Sequence, residues 1–193
     1  MSNINLNELR DRAYKTACEH GFHDKELSNE HHLCLIVGEL MEAVEADRKG
    51  KRADRESFKS SYEDEEPHDD ANFKYCFEKY IKDTISDELS DAVIRLLDLA
   101  GLRGISLESA SNDINSEYMD DIACMYSQLS FTEAIYSIFT KPIVDYQYLS
   151  TIINEMIFSI FALAKHLDID LLWHIEQKQR YNELRPKLNG KKY

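Results

Sequence analysis

Two stretches of this chain are apolar around nearly every helical turn, and each carries pairs of acidic residues three positions apart. They cover residues 30–49 and 84–102. Both have the length of α-helices, and the chain has only 6 glycines and 3 prolines in 193 residues to interrupt such elements. Scarce turn residues argue against a protein built from strands and turns. The sequence therefore predicts an all-α fold, a helical bundle of the four-helix type.

Apolar periodicity predicts further helices on both sides of these two stretches. We expect them over residues 6–20, 73–81, 105–128, 131–139, 146–167 and 170–184. Asn29 should cap the helix over 30–49, Thr84 and Asp87 have the spacing of a capping box, and the residue before Pro142 should end the helix that begins at 131. Residues 53–70 are polar, acidic and without periodicity, which predicts a mobile loop.

The chain should form one domain over residues 1–193. Within it we predict a catalytic lobe of residues 1–107 completed by the tail 172–193, and a second lobe over 108–171. An offset of 64 residues places 87–107 on 151–171 with coinciding apolar positions. Asp91 then falls on Glu155; in a separate comparison, Glu42-Ala43 resembles Glu133-Ala134. The second lobe is either a degenerate repeat of the first or a chance similarity between apolar helices.

The formal net charge of −13 argues against binding of nucleic acid duplexes, because neutralising phosphates needs a basic surface. No run of apolar residues is long enough to span a membrane, and the polar residues 1–9 do not resemble a secretory leader. The four cysteines are spread along the chain and form no paired motif: Cys18, Cys34, Cys76 and Cys124. This predicts reduced residues in the protein core rather than a disulfide framework. We expect a cytoplasmic protein.

The acidic pairs are Glu39 with Glu42 and Glu88 with Asp91, and each pair lies on one face of its helix. Facing apolar helices would bring four carboxylates together, although two like charges about 4 Å apart repel by about 4 kcal/mol at an effective dielectric near 20. A hard divalent cation, Mg²⁺ or Mn²⁺, would balance them. The candidate residues include no cluster of Cys or His, which argues against zinc. They also lack the Glu-x-x-His motifs of a di-iron site, which argues against iron. The alternative is a set of buried ion pairs, with Arg95 bridging Asp91 and Asp98.

The end of this acidic chain is basic. Residues 178–192 carry six cations against one acid, Glu183; the cations are Lys178, Arg180, Arg185, Lys187, Lys191 and Lys192. Arginine offers a fork of donors for phosphate oxygens, and lysine offers a point charge. An anion-binding segment of this kind beside an acidic metal site predicts a phosphorylated ligand, whereas an exposed basic terminus without function is the alternative.

The strings GELMEAVEADRKG (38–50) and DELSDAVIRLLD (87–98) resemble the MazG-like, all-α nucleoside triphosphate pyrophosphohydrolases, a superfamily that includes dimeric dUTPases and dCTP pyrophosphatases. Its signature is E-x-x-E on one helix and E-x-x-D on the next. The tail KQRYNELRPKLNGKK (178–192) resembles the family's closing K-x-x-Y-N-x-x-R-P segment, and His20-Gly21-Phe22 resembles its stretch near the base pocket. The second lobe and the acidic insert at 54–70 depart from compact relatives.

The resemblance implies Mg²⁺-dependent hydrolysis of a nucleoside triphosphate to the monophosphate and pyrophosphate. Glu39, Glu42, Glu88 and Asp91 would bind the metal, and one carboxylate would accept a proton from water. The expected substrate-binding residues are Lys178, Asn182, Arg185, Lys187, Arg95, His20 and Phe22; Tyr14 and His23 are further candidates for stacking on the base. The resemblance also leaves a homodimer open. The alternative function is a non-catalytic nucleotide sensor or a helical interaction module.

Overall fold

A computed structural model describes residues 4–64, 66 and 68–190, and this part of the chain contains ten α-helices and no strand. The helices are α1 (Leu6–Glu19), α2 (Asn29–Arg48), α3 (Arg55–Phe58), α4 (Asp70–Tyr80), α5 (Ile85–Leu102), α6 (Glu108–Ile114), α7 (Tyr118–Tyr126), α8 (Phe131–Asp145), α9 (Leu149–His166) and α10 (Leu171–Glu183). A π-helical turn (Lys59–Glu63) follows α3, and a 3-10 turn (Lys187–Gly190) follows α10. The predicted all-α, bundle-like fold is confirmed.

Helix α5 is the centre of the bundle and packs against α1, α2, α9 and α10. It begins one residue later than predicted, because Thr84 caps it by accepting the backbone N–H of Asp87 at 3.4 Å. The carboxylate of Asp87 does not return to Thr84 as a capping box would require. It accepts the N–H of Asp83 at 2.9 Å instead, which fixes the turn before the helix.

Helix α2 buries one face rather than all of its circumference. Ile36, Leu40 and Ala43 are fully buried, whereas Met41 on the opposite side is 42% exposed. No element covers the outer face in the described structure, although the sequence is apolar around nearly every turn of this helix. Its cap is also one residue earlier than predicted: the Ser28 side chain accepts the N–H of His31.

The predicted mobile loop over residues 53–70 is largely helical. Phe58 is fully buried and Tyr62 is 8% exposed, and both lie in an aromatic cluster whose buried members are Phe58, Tyr62, Phe73, Cys76, Phe77, Ile81 and Tyr181. The polar composition of the segment hides two aromatic side chains four residues apart, which is the spacing of one helical face. These two side chains attach the insert to α4 and α10 (residues 65 and 67 lie outside the described part).

The second lobe consists of α6 to α9. The stretch 105–128 forms two helices rather than one, and α8 continues through Pro142 to Asp145, so the predicted stop is wrong. A proline removes one helical hydrogen bond, and burial of this ring supplies packing contacts that offset the loss. The offset of 64 carries the bounds of α5 onto those of α9. Glu133 differs from Glu42 in its role, since it completes a capping box with Ser130.

None of the four cysteines is in a disulfide, and only Cys76 is buried. Cys18, Cys34 and Cys124 are exposed on their helices, so the prediction of core positions is wrong for these three. Within the described residues, no helix combines the length and the apolar character needed to cross a bilayer.

Candidate active site

Three of the four predicted carboxylates converge where α2 faces α5. Glu39, Glu42 and Glu88 each offer an oxygen, and these oxygens lie within 4.8 Å of one another. Glu39 is 7% exposed and Glu88 is 5% exposed, whereas Glu42 is exposed at the edge of the group. The spacing of three residues turns both glutamates of α2 toward α5, as the sequence predicted. Asp91 is not part of this group, and its role as a metal ligand stays a prediction.

Two cations neutralise part of the acidic charge. The Arg95 Nε donates to Glu39 Oε1 at 2.5 Å, and the buried Lys178 ammonium lies 2.8 Å from both Asp87 Oδ1 and Asp91 Oδ2. The alternative of buried ion pairs is therefore present, but with different partners from those expected, since Arg95 contacts Glu39 rather than bridging Asp91 and Asp98. Glu42 and Glu88 make no ion pair with a lysine, arginine or histidine among the described residues.

The role of Lys178 in substrate binding stays a prediction. Its ammonium is buried between two carboxylates and does not line the pocket described below. The pKa of this ammonium is raised: burial disfavours the charge, but Asp91 and Asp87 outweigh it. Lys178 therefore fixes the position of Asp91 from α10. A contact across helices of this kind depends on their relative register, which one sequence does not reveal.

The carboxyl pKa values reflect burial first and neighbouring charge second. Burial, with repulsion from Asp87 and Asp91, raises the pKa of Glu88 to about 8. Burial also raises the pKa of Glu39, and the Asp91 charge adds to this while Arg95 opposes it. For Asp91 itself, burial is outweighed by Lys178 and Arg95, and its pKa is lowered. The site thus contains one carboxyl, that of Glu88, that keeps its proton at neutral pH beside the ionised carboxylate of Asp91.

The donor set fits a hard divalent cation. Three carboxylates from two helices supply oxygen ligands, and the pKa of Glu88 is raised because its burial and its repulsion from Asp87 and Asp91 outweigh the attraction of Lys178. A second acidic group, Asp83, Asp87 and Glu88, shares Glu88 with the first. It is less suitable, because Asp87 is already bound by Lys178 and by the N–H of Asp83.

A pocket of about 110 Å³ opens beside the carboxylates and is lined by residues of α1, α2, α5 and α10 and by the connection between α1 and α2. Glu39 and Asp91 belong to its wall, so the pocket and the carboxylate group share a side chain. Its apolar surface comes from Ala13, Ala17, Phe22, Leu27, Leu35 and Ile94, and its polar surface comes mainly from Arg95, Asp98, Gln179, Asn182, Arg185 and three histidines, His20, His31 and His32. This volume can accommodate several waters or a planar ring.

Of the residues predicted to lie near the base, some support the fold and others line the pocket. His20 contacts two backbone carbonyls, that of Thr16 at 2.8 Å through Nδ1 and that of Arg185 at 2.9 Å through Nε2. It therefore joins the end of α1 to the C-terminal segment. Phe22 lines the pocket as an apolar wall. Tyr14 and His23 pack on each other with ring centroids 5.3 Å apart, and neither lines the pocket.

The basic tail is only partly available to an anion. Arg185 and Asn182 line the pocket, and Asn182 Oδ1 is buried without a hydrogen-bond partner among the described residues. Lys187 extends outward and pairs with Asp24 at 2.9 Å. Arg180 pairs with Asp70 and lies over the Phe73 ring. Lys191 and Lys192 lie outside the described residues.

Four acidic, histidine or amide residues of the pocket lining were not predicted as site residues: Asp98, His31, His32 and Gln179. Asp98 had a usable signal, because it follows Asp91 and Arg95 on the same polar stripe of α5. No sequence signal identified His31 and His32 as pocket residues, because the positions of their rings depend on how α2 faces α5. Gln179 resembles any polar residue of an amphipathic helix.

Comparisons with known protein families, with curated proteins and with solved structures find no match to this chain.

Proposed function

We propose that this protein hydrolyses a nucleoside triphosphate to the monophosphate and pyrophosphate with the help of Mg²⁺, or of Mn²⁺ in its place. The observation that carries the proposal is the junction of two features at Glu39. This side chain belongs both to the group of three carboxylates and to a pocket that is apolar on its walls and cationic near the carboxylates. Metal, phosphate and base would each meet a suitable surface there.

The carboxylates account for the metal. Glu39, Glu42 and Glu88 would hold the cation, with Asp91 beside them, and hard oxygen ligands favour Mg²⁺ over softer metals. When bound, such an ion polarises a phosphoryl oxygen and acidifies a coordinated water. Ligation requires the ionised carboxylate, so the proton that Glu88 holds at neutral pH would be released as the metal binds.

The cations account for the phosphates. Arg95 uses its Nε for Glu39, and its two terminal nitrogens make no hydrogen bond within the described residues. Arg185 reaches the same pocket from the C-terminal segment and is positioned there by His20 through its backbone carbonyl. Two guanidinium groups beside three carboxylates can stabilise the charge on departing pyrophosphate while the metal remains bound.

A non-catalytic nucleotide sensor is the second candidate. The observation that favours it is the partial neutralisation of the site by protein cations, since Arg95 contacts Glu39 and Lys178 contacts Asp91. A site balanced in this way could bind a nucleotide without needing a metal for charge balance. It predicts tight binding of a triphosphate with no release of pyrophosphate.

The decisive experiment measures pyrophosphate release from the common ribo- and deoxyribonucleoside triphosphates with and without Mg²⁺. Glu42→Gln should abolish Mg²⁺-dependent release while the circular dichroism spectrum stays unchanged, because Glu42 is exposed and supports no core contact. Glu45→Gln is the matched control: Glu45 lies one helical turn further along α2, is exposed, and within the described residues pairs only with Arg48 and Lys49. The control should retain wild-type turnover.

Full activity of Glu42→Gln would overturn the assignment of this site. Absence of turnover in the wild type, together with calorimetric binding of a non-hydrolysable triphosphate, would favour the sensor instead.

A further inference from the structure

The end of the pocket away from the carboxylate group has a hydrogen-bonding character of its own. Asp98 lies there with its side chain 17% exposed, and its Oδ1 accepts a hydrogen bond from His23 Nε2 at 2.7 Å. His23 is in turn packed against the Tyr14 ring. The second oxygen, Oδ2, has no hydrogen-bond partner among the described residues. Asp98 is therefore a positioned acceptor with one oxygen left for a ligand.

Two further pocket residues have buried polar atoms without partners. Gln179 is 2% exposed, and its Nε2 donates to the backbone carbonyl of Leu9 at 3.1 Å, which identifies the remaining atom as the acceptor oxygen. That Oε1 has no partner among the described residues, and the same holds for His32 Nε2. Burial lowers the pKa of His32, so its ring is neutral at pH 7 and one of its two nitrogens is an acceptor.

Unpaired buried polar atoms cost free energy, about 1–3 kcal/mol each in typical cases, unless a ligand satisfies them. The set consists mostly of acceptors, so a ligand that satisfies them must bring hydrogen-bond donors, such as the N–H groups of a base amino group. Its position is also defined. Asp91 and Asp98 are seven residues apart on one face of α5, a rise of about 10 Å, which is comparable to the span from an α-phosphate to the far edge of a nucleobase.

We propose that this end of the pocket selects nucleotides whose base carries an exocyclic amino group in place of a carbonyl, as cytosine does relative to uracil and adenine relative to hypoxanthine, with Asp98 Oδ2 accepting from that amino group. The inference rests on the proposed function for its ligand class and deepens it by naming the group that is recognised. Aspartate accepts well from amino groups of bases. Phe22, Leu27 and Ile94 supply apolar surface for the ring. A base with a carbonyl at the same position would place oxygen against carboxylate oxygen.

Sites built to pair with a donor reject analogues that lack it, because their own polar groups are then left unpaired. The test therefore compares nucleotides that differ at this group. Binding of CMP against UMP, and of AMP against IMP, is measured by calorimetry on the full chain with a chelator present, so that neither turnover nor metal is required. We expect the amino member of at least one pair to bind ten or more times tighter than its carbonyl partner, a difference of about 1.4 kcal/mol.

Asp98→Asn keeps an acceptor for His23 and the side-chain size, but it loses the carboxylate charge and presents an amide group to the base. It should reduce the preference to within about threefold, while Asp70→Asn, an exposed aspartate paired with Arg180, should keep the wild-type ratio. For the wild-type protein, equal binding within both pairs, or no binding of any monophosphate, would overturn the inference. This outcome does not depend on whether the Asp98→Asn variant folds.

The two proposals fail separately. A preference for amino bases without pyrophosphate release from any triphosphate would refute the proposed hydrolysis and support this inference. Turnover without any preference between amino and carbonyl bases would do the reverse.

Discussion

At the scale of single residues, Glu88 combines burial with repulsion from two neighbouring aspartates. Its pKa rises from 4.5 to about 8, so the folded protein holds a proton there that the unfolded chain releases. Between these two values the folded state binds more protons, and stability therefore falls as pH rises. The stabilising protonated form is fully retained below pH 4.5 and is lost as pH approaches 8.

Replacing Glu88 by Gln should remove this dependence. We expect the free energy of unfolding of Glu88→Gln to exceed that of the wild type by an amount that grows from pH 4.5 to 8. The upper bound is about 5 kcal/mol, from about 1.4 kcal/mol per pKa unit. Urea denaturation across this range, with a chelator present, measures it. Parallel curves for the two proteins would show that Glu88 ionises normally in the folded state.

At the same scale, the sequence predicts the paired carboxylates of the site but not the cations that contact them. The paired carboxylates were identified from their spacing, because positions i and i+3 share a helix face in any α-helix. Their cations were not, because Arg95 on Glu39 and Lys178 on Asp91 depend on the rotation of one helix against another. Local spacing predicts which side chains share a face, and only tertiary packing decides which charge they meet.

At the scale of elements, two glycines in the helices that line the pocket differ in what surrounds them. Helices α1 and α5 approach so closely that a methyl group added at Gly101 would lie 2.5 Å from the Cβ of Tyr14. Gly38, in the middle of α2, has nothing within 4 Å of the corresponding position. One glycine is therefore required by packing, and the other only lowers the helical preference of α2.

Alanine at these two positions should act in opposite directions. Gly101→Ala must move α1 or α5 and should cost about 1–3 kcal/mol of stability. Gly38→Ala fits without contact and should stabilise by about 0.4–1 kcal/mol through the lower entropy of the unfolded chain. Chemical denaturation of both variants provides the comparison, and each serves as the control for the other. A stabilised Gly101→Ala would mean that α1 and α5 lie further apart.

The elements also differ in how well the sequence predicted them. The bounds of α5 and α10 agreed within one residue, because capping residues and apolar periodicity are local signals. The insert over 53–70 was mispredicted, because Phe58 is buried only through partners such as Phe73 on α4, which are distant or weakly patterned. Helix α8 was cut short at Pro142 because a rule for isolated helices ignores burial of the proline ring.

At the scale of the whole molecule, two apolar clusters meet on α10. The main cluster contains residues of both lobes, among them Leu89 on α5 and Ile153 on α9, and it includes Leu171 and Ile175 of α10. The aromatic cluster of the insert contains Tyr181, and Trp173 packs at its edge with its ring centroid 5.5 Å from that of Phe58. A single helix thus belongs to both cores.

This connection predicts that the insert unfolds together with the bundle. Trp173 is the only tryptophan of the chain, so its fluorescence reports on the aromatic cluster, whereas far-ultraviolet circular dichroism reports on all helices. We expect one urea transition with the same midpoint by both methods, because losing the aromatic cluster would also release the end of α10 that places Lys178 between Asp87 and Asp91. An earlier fluorescence transition would mean that the insert detaches while the bundle stays folded. In that case Lys178 would be held by the main core alone, and Phe58→Ala would shift the fluorescence midpoint without moving the dichroism midpoint.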